Sequence, residues 1–188
     1  MKVLVTGSAG LPGQDVLLLL ESRGVSCLGV DAPEFDGTDS EAVFRLVEDF
    51  SPDVIVHCAA YSNVDKAESE PATCAGVNGF GALTMARAAV RAGAKMLFLS
   101  SAQVFSGTGE TPNAVSDPYG PKNVYGMSMV QAEDAVRSCR IVPIRDADIP
   151  SHASRPLNSR LTAELPAGIA PMPSVEDALD RYLEEIIH

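Results

Sequence analysis

The sequence predicts an α/β fold in which helices cover both faces of a doubly wound parallel sheet. Strand-like and helical segments alternate along the chain, and the first strand ends in a glycine-rich turn that leads into a helix, over residues 3–13. Strands that alternate with helices are typical of parallel βαβ units. We therefore expect one domain over residues 1–188, with a core over 1–138 and a reduced C-terminal region over 139–188.

Each element follows from its local pattern. Apolar runs bounded by turn residues predict strands at 2–6, 25–30, 54–57, 96–100 and 140–145. Helical spacing and composition predict helices at 13–23, 40–50, 71–92, 124–138 and from Ser174 onwards. Gly24 and Gly93 end two of these helices, and Asp39 or Ser40 can cap another. Residues 102–123 and 146–173, which are rich in Pro and Ser, are expected to be mostly irregular.

The turn after the first strand carries glycines at three-residue intervals, Gly7, Gly10 and Gly13. This spacing permits a tight turn, close approach of a pyrophosphate to the backbone, and close packing of helix on strand. The following helix opens with Leu11 and Pro12, and its N-terminus supplies unpaired N–H donors and partial positive charge. Proline is tolerated there because the first turn has no helical hydrogen bond to break. The pattern predicts a Rossmann-like dinucleotide site.

Asp31 ends the next strand, about 20 positions beyond the glycines, where an acidic residue can accept hydrogen bonds from an adenosine ribose. The alternative for Asp31 is a solvated turn residue. No arginine follows it closely, so a 2′-phosphate has no obvious counter-charge. The predicted cofactor is NAD(H) or NADP(H), with NAD mildly favoured.

Composition excludes several classes of protein. The net charge of −11 provides no basic patch for nucleic acid, and no apolar run is long enough to cross a membrane. We expect no signal peptide and a cytoplasmic location. The cysteines, with no Cys-x-x-Cys pair and no histidines at ligand spacing, are expected to be free thiols rather than metal ligands: Cys27, Cys58, Cys74 and Cys139.

A second group of polar residues lies at the ends of later strands, where ligands sit in open α/β sheets. Ser100 ends the 96–100 strand, Ser101 follows it directly, and Tyr125 opens a later helix. A serine and a tyrosine that converge beside a nicotinamide suit carbonyl reduction. One hydroxyl holds the substrate oxygen while the phenol delivers a proton.

Taken together, these segments resemble the extended short-chain dehydrogenase/reductases, and within them the dTDP-4-dehydrorhamnose reductases and the related regulatory β subunits of methionine adenosyltransferase. The resemblance rests on ordered motifs: Thr-Gly-x-x-Gly-x-x-Gly at 6–13, Pro-Asp-Val-Ile-Val-His-Cys-Ala-Ala-Tyr at 52–61, Val-Asp-Lys-Ala-Glu-Ser-Glu-Pro at 64–71, Val-Asn at 77–78, Ser-Ser at 100–101 with Val-Phe at 104–105, Asn-Val-Tyr-Gly at 123–126, and Arg-Pro-Leu-Asn-Ser-Arg-Leu at 155–161.

The resemblance implies a role for each matching position. The glycines would hold the pyrophosphate and Asp31 the ribose. The remaining residues expected at the cofactor are Asp36 and Gly37 by the adenine, Cys58, Ala59 and Ala60 along the dinucleotide, Tyr61 just beyond, and Ser100 and Tyr125. Ser101 would bind the substrate carbonyl, and Tyr125 would donate the proton. His57 matches a position outside the catalytic set and is expected to pack behind the site.

Two departures from the family pattern bear on activity. The family motif is Tyr-x-x-x-Lys, but Met129 stands at the lysine position. That lysine holds the nicotinamide ribose and stabilises the tyrosinate as it forms. The second departure is a missing segment after 138, which in the family supplies much of the sugar-nucleotide pocket.

Three hypotheses follow. The chain is a NAD(P)H-dependent reductase of a nucleotide-linked 4-keto sugar, weakened by Met129. Alternatively, it is a non-catalytic NAD(P)-binding regulatory or assembly subunit. As a third possibility, dimerisation supplies the lost surface. The expected partners are the dinucleotide, a nucleotide sugar, and a second copy or another subunit.

Overall fold

The computed structural model describes residues 1–108, 113–114 and 116–139. Within them, four parallel strands form one sheet in the order β2-β1-β3-β4: β1 (Lys2–Thr6), β2 (Ser26–Val30), β3 (Val54–His57) and β4 (Lys95–Phe98). From β1 the chain passes to β2 on one side, then crosses to β3 on the other side. This reversal is the mark of a doubly wound sheet. The predicted fold class is confirmed.

The helices alternate with the strands. They are α1 (Leu11–Ser22), α2 (Ser40–Phe50), α3 (Val64–Ser69), α4 (Pro71–Ala75), a π-helical turn (Gly76–Phe80), α5 (Gly81–Ala92), a 3₁₀ turn (Ala102–Val104) and α6 (Val124–Ser138). The helix expected at 71–92 is therefore interrupted by a π-helical turn. Helix α3 was not expected, because its six residues are too few to show an apolar period. Strand β4 ends earlier than expected, since Ser101 caps the 3₁₀ turn instead of continuing the strand.

Apolar side chains alternate between the two faces of the sheet. Leu4 and Ile55 lie on one face, where they pack in a core with residues of α2, α5 and α6. Val5 and Val56 lie on the other face, against α1. Leu4 and Ile55 are fully buried, and burial of each such side chain is worth about 1.5–3 kcal/mol. Helices therefore pack on both faces of the sheet, as is usual for parallel sheets, while Leu97 of β4 on the α1 face is exposed among the described residues.

Helix ends follow the sequence signals. Asp39 caps α2 by accepting hydrogen bonds from the N–H groups of Glu41 and Ala42 at 3.0 and 3.2 Å. Gly93 ends α5 in the left-handed region at φ +70°. These ends fix where each helix returns the chain to the next strand.

The described residues fall into two compact units. Residues 1–106 and 119–139 belong to the first, and residues 107–108, 113–114 and 116–118 belong to the second. In the second unit, Asp117 and Ala114 close a small turn, with the Asp117 N–H donating to Ala114 O at 3.0 Å. The strand expected at 140–145 and the helix expected from Ser174 lie outside the described residues. A single domain over the whole chain stays a prediction.

Candidate functional site

The candidate residues gather at one edge of the sheet. The glycine turn follows β1, Asp31 follows β2, and residues 58–61 follow β3. Ser100 and Ser101 come shortly after β4. In open α/β sheets, ligands bind outside the carboxyl ends of the strands, at the point where the strand order reverses. Here that point lies between β1 and β3.

The glycine turn is packed too tightly for side chains at two of its positions. Gly7 has φ +68°, and a Cβ there would lie 2.5 Å from the backbone N of Ala59. A Cβ on Gly13 would lie 2.1 Å from Gly7 O. The turn therefore holds β1, the segment after β3 and the start of α1 in direct backbone contact. At Gly10, only Gly7 O, at 3.3 Å, lies near the Cβ position among the described residues, which leaves the outer side of the turn open.

The Asp31 carboxylate is hydrogen-bonded to the glycine turn. Its Oδ2 accepts the Ala9 N–H at 2.7 Å, and its Oδ1 accepts the Ala32 N–H at 2.8 Å. Its carboxylate therefore lies at the turn rather than in an isolated solvent-exposed loop. Asp36 points back into its own loop: its Oδ1 accepts from Thr38 Oγ1 and N, and the hydrogen bond from the Thr38 side chain is the main cause that lowers the pKa of Asp36.

The N-terminus of α1 has no side-chain cap and no acidic residue in its first turn. Leu11 is 81% exposed, so its side chain does not cover the helix end. The helix therefore supplies no side chain of its own to cap the N–H groups of its first turn or to neutralise their partial positive charge.

The turn after Ser101 is packed against the start of α6. A Cβ on Gly126 would lie 2.4 Å from Gln103 O, and the Asn123 side chain donates to Gln103 Oε1 at 2.6 Å. The Ser101 Oγ accepts the Gln103 N–H at 3.2 Å. Ser101 and Tyr125 thus lie on adjoining segments, and their convergence as a pair stays a prediction.

The Ser100 hydroxyl has a different hydrogen-bond partner from that of Ser101. Its hydroxyl donates to Glu133 Oε1 of α6 at 2.5 Å. The other Glu133 oxygen accepts from the Tyr119 hydroxyl at 2.5 Å and from Arg137 at 3.0 Å. Partial burial and the bond to Glu133 raise the pKa of Tyr119 to about 12. Glu133 therefore joins the end of β4 to α6.

Two carboxylates hold neighbouring segments in place by hydrogen bonds. The sequence analysis identified neither of them. Glu68 Oε1 accepts the Val124 N–H at 2.8 Å, which ties α3 to the first turn of α6. Glu70 Oε2 accepts from the Tyr61 hydroxyl at 2.8 Å. Partial burial and this bond raise the pKa of Tyr61 to about 12. The 64–71 motif contained both carboxylates, but nothing in their spacing specified these partners.

Asn78 is a further residue whose role the sequence did not reveal. Its side chain is buried, accepts the Tyr61 N–H at 2.7 Å, and donates to Tyr61 O at 3.3 Å and Ser128 Oγ at 2.8 Å. It therefore fixes the backbone after β3 to α6. The Val-Asn motif at 77–78 and the position of an asparagine within an apolar helical stretch were the available signals, but neither specified its partners.

Met129 is only 2% exposed. It lies one helical turn after Tyr125 on α6, at the position of the family's lysine. A thioether at this position neither carries charge nor donates hydrogen bonds.

His57 packs behind the site, as expected. It is 4% exposed, its Nδ1 lies 2.7 Å from Thr6 Oγ1, and its ring stacks on Phe98. Its Nε2 has no hydrogen-bond partner in the part of the chain that the structure describes. Burial lowers its pKa to about 4, so the imidazole is neutral at physiological pH.

Other features lie away from this edge. A cleft of about 530 Å³ opens at the opposite, amino-terminal end of the strands, lined by residues that include Pro52, Asp53, Gly93 and Lys95. No group of three metal-ligating side chains occurs among the described residues, and none of their helices is long and apolar enough to cross a membrane. All four cysteines are free, though of these only Cys74 is fully buried.

The strand order and the glycine turn at the point of reversal define a Rossmann-like α/β protein. Comparison with known proteins then identifies the family. The chain belongs to the RmlD substrate binding domain family, whose profile matches residues 1–141. This agrees with the family that the sequence motifs indicated.

Individual relatives support the same family assignment. A dTDP-4-dehydrorhamnose reductase of Streptomyces griseus is 41% identical over 133 residues, which are 71% of this chain and 44% of that protein. Methionine adenosyltransferase 2 subunit beta of Rattus norvegicus is 36% identical over 142 residues, 72% of this chain and 42% of that protein. The chain spans less than half the length of these curated relatives.

A solved structure matches to a similar extent. The crystal structure of dTDP-4-dehydrorhamnose reductase from Bacillus anthracis in complex with NADP is 30% identical, with a TM-score of 0.71 over 73% of this chain and 49% of that chain.

Proposed function

We propose that this chain is a NAD(P)H-dependent reductase of a nucleotide-linked 4-keto sugar, of the dTDP-4-dehydrorhamnose reductase type, with weakened activity. The observation that carries the proposal is the packing of the Ser101 turn against the first turn of α6, at the same edge of the sheet as the glycine turn. This packing brings together the segments that carry the Ser101 hydroxyl and the Tyr125 phenol, and it supports their assignment as a catalytic pair.

The residues at this edge fit a dinucleotide. The open outer side of Gly10 and the uncapped end of α1 provide room and donors for a diphosphate. Asp31 lies beside the turn, where its carboxylate can accept from a ribose hydroxyl. The proposed cofactor residues are Gly7, Gly10, Leu11, Pro12, Gly13, Asp31, Asp36, Gly37, Cys58, Ala59, Ala60, Tyr61, Ser100 and Tyr125. The NADP bound to the Bacillus anthracis reductase supports a nicotinamide dinucleotide as the ligand.

Charge around the ribose position favours NAD over NADP. The segment 31–41 contains carboxylates and no lysine or arginine: Asp31, Glu34, Asp36, Asp39 and Glu41. A 2′-phosphate would face repulsion from Asp31 without a nearby cation to offset it. NADH should therefore bind more tightly than NADPH.

The chemistry assigned to the chain is proton delivery and orientation. A reduced nicotinamide supplies hydride when it is bound. Ser101 would hold the substrate carbonyl oxygen by a hydrogen bond, and the Tyr125 phenol would give its proton to that oxygen. Met129 provides no ammonium to stabilise the tyrosinate that forms. The missing charge–charge interaction is the physical reason for weakened activity.

Turnover tests this assignment. Purified protein with NADH and a dTDP-4-keto sugar should oxidise the cofactor slowly, and Tyr125→Phe should abolish that oxidation while the protein stays folded. Ser138→Ala, which removes a hydroxyl at the far end of α6, is the control and should keep wild-type turnover. Equal turnover by the wild type and Tyr125→Phe would rule out the assigned proton donor.

The second candidate is a non-catalytic, dinucleotide-binding regulatory or assembly subunit, alone or as a homodimer. The burial of Met129 favours it, because an apolar residue in the lysine position serves packing rather than catalysis. The similarity to a methionine adenosyltransferase β subunit supports it as well. This candidate predicts that NADH raises the melting temperature while no keto sugar is reduced, either by the wild type or by Met129→Lys.

A further inference from the structure

The first turn of α1 contains a proline at its second position, Pro12. Proline has no N–H, and a ring carbon occupies the place of the hydrogen. The N–H groups of a helix's first turn have no partner within the helix, and they are the groups that receive an anion there. Pro12 therefore removes one donor from the part of α1 that faces the proposed diphosphate position.

The neighbouring N–H groups of the turn are already in use. The Ser8 N–H donates to the carbonyl at the end of β2 at 3.3 Å, and the Gly10 N–H donates to Gly7 O at 3.1 Å. The Ala9 N–H donates to the Asp31 carboxylate at 2.7 Å. None of the three is available to a ligand unless an internal hydrogen bond breaks.

The helix itself uses the second N–H beyond the proline. The Gln14 N–H makes the bond to Gly10 O at 2.9 Å. Between these bonded groups, only the N–H groups of Leu11 and Gly13 remain for a ligand. In this segment of the described chain, two donors stand where a helix without proline would present three.

We propose that Pro12 sets a low affinity for the diphosphate of a nicotinamide dinucleotide by withholding one of the three N–H groups at the start of α1. The inference rests on the proposed cofactor site. A charge-assisted hydrogen bond to a phosphate oxygen is among the strong ones in proteins, so its absence is large enough to measure.

The test is a binding measurement on the full chain. Pro12→Ala restores the N–H and should lower the dissociation constant for NADH about tenfold, which corresponds to ~1.4 kcal/mol. ADP-ribose should show the same gain, whereas adenosine, which lacks the diphosphate, should show none. Pro12→Leu restores the N–H with a larger side chain, and it serves if the alanine variant fails to fold.

A matched control separates the donor from the side chain. Leu18→Ala changes an exposed side chain of the same helix, outside the proposed cofactor residues, and keeps every N–H in place, so its affinity for NADH should stay within about twofold of wild type. An equal gain for adenosine and ADP-ribose, or no gain for either, overturns the inference. If neither the wild type nor Pro12→Ala binds NADH, the proposed cofactor site fails for this chain, and the inference fails with it. If only Pro12→Ala binds NADH, the result supports both the site and the role of Pro12.

Discussion

Replacement of Gly7 by alanine is the sharpest structural test of the site. Two costs combine at this position. A left-handed backbone costs a residue with a Cβ about 1–2 kcal/mol, and Gly7 has φ +68°. The new Cβ would also lie 2.5 Å from Ala59 N and 2.6 Å from Cys58 C, both rigid backbone atoms. Overpacking of this kind typically costs about 1–3 kcal/mol. The expected loss for Gly7→Ala is therefore about 2–5 kcal/mol.

Gly24→Ala carries only the first of these costs, so the difference between the two variants isolates the second. Gly24 has nearly the same backbone angle, φ +64°, but nothing lies within 4 Å of its Cβ position. Its replacement should cost only the conformational term of about 1–2 kcal/mol. Urea unfolding of the wild type and both variants gives the two losses directly. If Gly7→Ala costs no more than Gly24→Ala, the close contact between the turn and the segment after β3 is wrong.

Two further perturbations probe buried polar groups. The folded-state pKa of His57, about 4, lies below the ordinary value of 6.5, so the unfolded chain binds the proton first as pH falls. Stability is therefore lost between pH 6.5 and about 4. The expected loss is about 2 kcal/mol from pH 7 to pH 5, measured by urea unfolding, and His57→Leu should show a shallower pH dependence. An unchanged pH dependence in His57→Leu would contradict the neutral buried ring. Asn78→Ala leaves the Tyr61 N–H without its partner and removes one of the hydrogen bonds to Ser128, and it should cost about 2–3 kcal/mol. Asn63→Ala, which removes an exposed helix cap, is the control and should cost about 1 kcal/mol. Equal stability losses for Asn78→Ala and Asn63→Ala would refute the role of Asn78 in fixing the backbone after β3 to α6.

The sequence predicted the sheet because local signals and tertiary structure agree there. Apolar strands, Gly24, Asp39 and Gly93 each act over a few residues, so their effects can be read one segment at a time. The glycine spacing and Asp31 also carry a fixed geometric meaning. These features account for the correct strand positions and for the glycine turn and Asp31 meeting at one edge.

The supporting contacts could not be predicted in the same way. Asn78 meets Tyr61 over 17 positions, and Glu68 meets Val124 over 56. Such pairs depend on how helices cross, which no single segment specifies. The burial of Met129 has the same origin, because the exposed fraction of a residue on α6 is set by what packs against that helix.

A single oxygen atom links the three glycines of the first turn. Gly7 O accepts the Gly10 N–H at 3.1 Å and leaves no room for a Cβ on Gly13, which would lie 2.1 Å away. Substitutions at these positions should therefore be strongly non-additive. Once one side chain has forced that carbonyl aside, a second has less left to disrupt, and a double variant should lose less stability than the sum of its parts.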